Sequence, residues 1–287
     1  MAFEDRWLKA ADGLTLYARD YAPADGERAL PVVCLHGLTR NSADFEDVAP
    51  WIAARGRRVV AMDVRGRGRS DRDPRPRNYT PLVYAGDVLA GMAQLGAPRA
   101  VFIGTSMGGL ITMTLAAVNG AVVAGAVLND VGPELAPDAI ARIGAYVGEE
   151  PDVPDWPAAA AYARARNGVA FPGADDAFWD RFARRLFREH EGRLELNYDP
   201  EIAAIFRVAP TGPAPDLWPA FRALAAGRPT LLIRGALSDL VTADIASRMR
   251  EAVPDMAYAE VPGVGHAPML DEPAARAALA EFLDRTP

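Results

Sequence analysis

The chain has 287 residues, enough for one large domain with a sizeable core. Half of its residues are hydrophobic and 24% are charged, which excludes a largely disordered chain, and one cysteine excludes a disulfide-dense miniprotein. Lysine and arginine number 31 against 38 aspartates and glutamates, so the net charge of -7 gives no electrostatic ground for binding nucleic acid or an anionic membrane.

Residues 1–9 carry Glu4 and Asp5 and lack the basic and then apolar pattern of a secretory signal. The lone Cys34 forms no internal disulfide and no metal knuckle, and the expectation is a cytoplasmic protein. Residues 14–21 alternate behind Asp12-Gly13, which predicts a strand after a tight turn and a hairpin at the start of the fold. Short apolar runs at 32–35, 58–62, 100–103, 122–128, 230–233 and 257–261 alternate with helix-like segments. Continuous rather than alternating apolar strands mark a parallel sheet covered on both faces, so the predicted class is doubly wound α/β, with ligand sites at the carboxyl ends of the strands.

Three stretches break the pattern. Residues 65–77, rich in arginine, aspartate and proline, read as an exposed loop. Residues 104–129 carry no charge, yet Asn119-Gly120 divides them into a helix-length and a strand-length piece, each too short to cross a membrane. Residues 133–226 show no convincing strand and many prolines, among them Pro210, Pro213 and Pro215, and read as an all-helical cap inserted into a core of 1–132 and 227–287. Within it, residues 174–189 place Phe178, Trp179, Phe182, Leu186 and Phe187 at helical spacing.

The strongest chemical signal is Gly104-Thr105-Ser106-Met107-Gly108, a G-x-S-x-G turn between a strand and a helix. Small residues at both ends permit a sharp turn that projects Ser106 and leaves the Met107 amide at a helix N-terminus. A serine hydroxyl needs a base. Of the three histidines, His190 lies among charged residues and reads as solvated, and His36 directly precedes a turn. His266, in a glycine-rich loop after the last strand, is the candidate base. The orienting carboxylate is assigned to Asp239, with Asp130, at the end of the 122–128 run, as the alternative.

These residues, with His36-Gly37 and the run from Met62 to Asp71, resemble those of the α/β-hydrolase-fold serine hydrolases over nearly the whole chain. The resemblance implies the chain order Ser106, Asp239, His266, and an oxyanion hole made by the backbone N–H groups of Leu38 and Met107. It also implies that Asp63 is structural. A serine nucleophile speaks against the aspartate-dependent dehalogenases and epoxide hydrolases of this fold. The expected activity is hydrolysis of a small to medium apolar ester or lactone through an acyl-enzyme. A carbon–carbon hydrolase of ring-fission diketones, an acyltransferase and a non-catalytic receptor stand as alternatives. His36, Gly37, Arg40, Trp156 and Trp179 are candidate pocket residues. No metal or cofactor is called for, the expected partner is the small-molecule substrate alone, and a monomer and a homodimer are equally compatible with the sequence.

Overall fold

The computed structural model describes residues 2–24, 26–207 and 216–287. In chain order, β1 (Glu4–Lys9) and β2 (Thr15–Tyr21) form an antiparallel hairpin, followed by β3 (Val32–Leu35), α1 (Val48–Ala53), β4 (Val59–Asp63) and α2 (Pro81–Gln94). Next come β5 (Ala100–Thr105), α3 (Met107–Asn119) and β6 (Val123–Asn129). After a long intervening segment the sheet resumes with β9 (Thr230–Gly235), α9 (Ala243–Ala252), β10 (Ala257–Val261) and α10 (Pro273–Asp284). The strand order is β1-β2-β4-β3-β5-β6-β9-β10, parallel from β4 onward, with β1 and β2 antiparallel at one edge. This is the doubly wound, mostly parallel sheet that the apolar runs predict.

Alternate residues of the central strands feed two cores. Val33, Leu35, Ala100 and Phe102 join the cluster beneath α2 and α3, whereas Val32, Cys34, Val101 and Ile103 join the one beneath α1 and α10. Both faces of each strand are thereby apolar, the physical origin of the unbroken hydrophobic runs. The uncharged 104–129 stretch resolves into α3 and β6, and no described helix is long and apolar enough to cross a membrane.

The segment between β6 and β9 holds α4 (Pro137–Gly144), α5 (Trp156–Asn167), α6 (Asp176–Leu186), α7 (Ala204–Arg207) and α8 (Trp218–Ala225). It is not all helical, as the sequence had suggested: β7 (Phe187–His190) and β8 (Arg193–Leu196) form a separate two-stranded hairpin. The helix expected over 174–189 therefore stops at Leu186, and His190 lies on a strand, exposed as expected. Glu191 and Gly192 connect the two strands with φ of 51° and 74°, the two left-handed residues of a tight two-residue turn. Of the prolines expected to punctuate this segment, Pro210, Pro213 and Pro215 lie outside the described residues.

The 65–77 loop also departs from expectation, because Arg65 and Arg67 are buried. Arg65 is satisfied by three carboxylates, pairing with Asp87, Asp73 and Asp12 at 2.6, 2.5 and 2.9 Å. Arg67 donates to the carbonyls of Leu38 and Arg65 and to the Tyr84 hydroxyl, each at 2.9 Å. The buried charge of Arg65 is matched by carboxylates, whereas Arg67 meets only neutral acceptors and lies against the Tyr84 ring.

The same loop fastens the β6–β9 segment to the sheet. Gly68 N–H donates to Asn197 O at 2.9 Å and Asp199 N–H to Gly66 O at 2.7 Å, while the Tyr79 hydroxyl bonds the Asp199 carboxylate. Farther along, Asn41 Nδ2 donates to Arg185 O at 2.7 Å, and Arg185 pairs with Glu46 and Asp47.

Candidate active site

Ser106 stands between β5 and α3 with φ of 51°, in the left-handed region that a non-glycine residue seldom occupies. The turn is possible because its flanks lack side chains. A Cβ on Gly104 would lie 2.5 Å from the backbone of Gly108 and Gly109, and one on Gly108 would lie 2.0 Å from Leu35 O. Packed this tightly, the elbow lifts the hydroxyl above the carboxyl edge of the sheet.

His266 comes from the loop after β10. Its Nε2 is 2.9 Å from Ser106 Oγ and its Nδ1 is 2.7 Å from Asp130 Oδ2. Gly265, its neighbour, donates its N–H to Ala170 O at 2.7 Å, which ties the loop to the chain between α5 and α6.

The carboxylate that meets His266 is Asp130, fully buried, and not Asp239. Asp130 Oδ1 accepts from Gly235 N–H at 2.9 Å, and Oδ2 accepts from the Ser238 hydroxyl at 2.6 Å as well as from the imidazole. Asp239 instead makes an exposed ion pair with Arg142 of α4 at 2.8 Å. The reason is positional: β6 and β9 are adjacent parallel strands that end at the same edge. Asp130 directly follows the last residue of β6, whereas Asp239 lies four residues beyond β9, where the loop has turned outward and only Ser238 faces the site.

The N–H groups of Leu38 and Met107 donate to no other group among the described residues, and Met107 opens α3, where unpaired amides and the helix dipole favour negative charge. Arg67 braces both residues, through Leu38 O at 2.9 Å and through Met107 Sδ at 3.5 Å.

His36 is not a pocket residue. It is fully buried, its Nε2 accepts from Val64 N–H at 3.0 Å, and its Nδ1 therefore carries the proton donated to Gly37 O at 2.7 Å. Burial depresses its pKa to about 4, against the opposing pull of the Gly37 carbonyl. Asp63 fits the structural expectation: it accepts from Ser42 N–H at 2.6 Å and Arg69 N–H at 2.8 Å, and burial pushes its carboxyl up.

A small cavity of about 90 Å³ opens over Ser106 and His266. Gly37 and Arg40 line it as expected, with Phe171 and Phe182 supplying aromatic surface and Ile143 and Met269 aliphatic surface. Trp156 and Trp179 do not. Trp179 is buried in a ring cluster with Phe171, Phe178 and Phe182, and half-buried Trp156 lies beneath the Arg184 guanidinium. Helical spacing identified the apolar face of α6, but only packing decides which of its rings reach the cavity.

The chain resembles characterised proteins along nearly its full length. It is 37% identical over 267 residues to a 3-hydroxybutyrate-oligomer hydrolase of Cupriavidus necator, covering 90% of each chain. It is 30% identical over 235 residues to a 2-(acetamidomethylene)succinate hydrolase of Mesorhizobium japonicum, covering 80% of this chain and 79% of the other. The crystal structure of an alpha/beta hydrolase from Novosphingobium aromaticivorans superimposes with a TM-score of 0.91 at 44% identity over 99% of both chains. Residues 32–279 match the model of the alpha/beta hydrolase family. With its eight-stranded sheet, its serine elbow and these likenesses, the chain belongs to the alpha/beta hydrolase family.

Proposed function

We propose that the chain is a serine hydrolase that cleaves carboxylic esters of short acids through an acyl-enzyme. The observation that carries this reading is one imidazole held between a strained serine and a buried carboxylate, at 2.9 and 2.7 Å. Ser106 Oγ attacks the ester carbonyl while His266 Nε2 takes its proton, and Asp130 holds Nδ1–H and stabilises the imidazolium. The carbonyl oxygen, now an anion, accepts from the Leu38 and Met107 amides, whose loss individually costs about 3 to 4 kcal/mol in such sites. Collapse expels the alcohol with the proton from Nε2. Water then attacks the acyl group, His266 takes its proton, and the acid leaves as Ser106 regains its hydrogen.

The segment from 133 to 226 serves in this reading as a cap, since Ile143, Tyr146, Phe171 and Phe182 close the cavity from that side. A cavity of about 90 Å³ with Ile143, Phe171, Phe182 and Met269 in its lining supports a small acyl group, and the Cupriavidus necator relative, named for oligomers of a short hydroxy acid, supports an ester substrate. The test is hydrolysis of p-nitrophenyl butyrate by the wild-type protein and Ser106→Ala, with a fluorophosphonate probe. Turnover lost in the variant, together with labelling of Ser106, is expected. Turnover retained by Ser106→Ala refutes the reading, and labelling without turnover shifts it to a carbon–carbon hydrolase or an acyltransferase.

A further inference from the structure

Arg40 uses only part of its hydrogen-bonding capacity. Its Nε and Nη2 donate to the two oxygens of Asp44 at 2.8 and 2.6 Å, and its guanidinium carbon lies 3.8 Å from the centroid of the Phe182 ring. Those two contacts fix the plane of the guanidinium. Nη1 is buried and has no partner among the described residues. A buried donor left unmet is costly, and one placed in a binding cavity is a seat for an acceptor. Arg40 lines the cavity over Ser106, and a Cβ on Gly37 would meet Arg40 Cγ at 3.4 Å and Ser106 Cβ at 3.8 Å, so both side chains flank the same glycine.

We propose that Arg40 Nη1 is a specificity-determining donor that takes a second carbonyl oxygen of the substrate, a few bonds from the scissile ester. The preferred substrates are then acylated hydroxy-acid esters rather than simple alkyl esters. This rests on the ester-hydrolase reading above and adds the substrate class. The acceptor is neutral because Asp44, itself in the lining, already neutralises Arg40, so a substrate carboxylate would lie beside an anion with no unpaired cation to offset it. The remaining lining holds no second arginine or lysine, and its other side-chain donors, among them Thr39, Tyr146 and Asn167, are neutral.

The test compares p-nitrophenyl 3-acetoxybutyrate with its 3-ethoxy counterpart, in which CH2 replaces the second carbonyl, and with p-nitrophenyl hydrogen glutarate, which carries a free carboxylate. The wild-type protein is expected to favour the acetoxy over the ethoxy ester by at least about tenfold in kcat/KM, the low end for a hydrogen bond to a charged donor. Arg40→Met brings that ratio close to one; a general loss of folding lowers both rates together and leaves the ratio intact. A wild-type ratio near one, a preference that survives Arg40→Met, or faster turnover of the glutarate overturns the proposal. Ser106→Ala titrated calorimetrically with the ethyl esters of the acetoxy and ethoxy acids reads the same preference without turnover. No turnover of p-nitrophenyl butyrate and no labelling of Ser106 refutes the hydrolase reading alone, and the calorimetric preference then decides the role of Arg40.

Discussion

Replacing Asp130 by asparagine separates the two candidate carboxylates. Gly235 N–H donates to Oδ1, so a carbonyl oxygen must occupy that position and the new amide NH2 must take the place of Oδ2. It then points at His266 Nδ1, which becomes an acceptor, and the imidazole proton moves to Nε2, the nitrogen that receives the Ser106 proton in the proposed reaction. A wrong tautomer of this kind lowers kcat about ten-thousandfold in serine proteases, a barrier increase of roughly 5 kcal/mol. Asp239→Asn removes only an ion pair whose side chains are 42% and 34% exposed. Such pairs contribute at most about 1 kcal/mol to stability and nothing to proton transfer, so kcat stays within about twofold. Steady-state hydrolysis of p-nitrophenyl butyrate by the two variants, with thermal unfolding to show that both are folded, decides the matter. A collapse of kcat in Asp239→Asn with near-normal turnover in Asp130→Asn would refute the assignment.

Two further perturbations test the scaffold. His36 stays neutral down to about pH 4 in the folded protein but takes a proton near 6.5 when unfolded, so it favours folding above pH 6.5 and loses that contribution as the pH falls from 6.5 to 4. The loss amounts to about 3 kcal/mol, and urea unfolding across this window should show a steeper acid decline in the wild type than in His36→Asn. Equal declines would remove His36 as a cause. Gly108→Ala drives a methyl to within 2.0 Å of Leu35 O and should cost about 3 kcal/mol or more. Gly86→Ala in α2, where nothing lies within 4 Å, should instead stabilise by up to about 1 kcal/mol, and denaturant midpoints that fail to diverge in this way contradict the packing argument.

The sheet was legible because its central strands are apolar on both faces, and the serine and histidine were legible because each sits in a glycine-bounded turn after a strand. The carboxylate that meets His266 was not, since β6 and β9 deliver neighbouring aspartates to one edge and chain order is the same for both. A finer signal existed: Asp130 abuts the buried strand itself, where no turn intervenes to carry the side chain outward. The β7–β8 hairpin escaped notice because Arg188, Glu189, Arg193 and Glu195 mask its apolar alternation, although Glu191-Gly192 offered a two-residue turn. Buried Arg65 and Arg67 were hidden for a related reason. An arginine-rich stretch looks solvated until Asp12, Asp73 and Asp87, distant or near in sequence, are seen to converge on it.

Arg67 and the glycines on either side of it carry two kinds of connection at once. One runs inward, to Leu38 and Met107, whose amides are proposed to hold the oxyanion, and the other runs outward, through Gly66 and Gly68, to the backbone of 197–199. The segment is thereby joined by main-chain bonds to the same short loop that braces Leu38 and Met107, so a substitution in residues 66–68 perturbs both connections together.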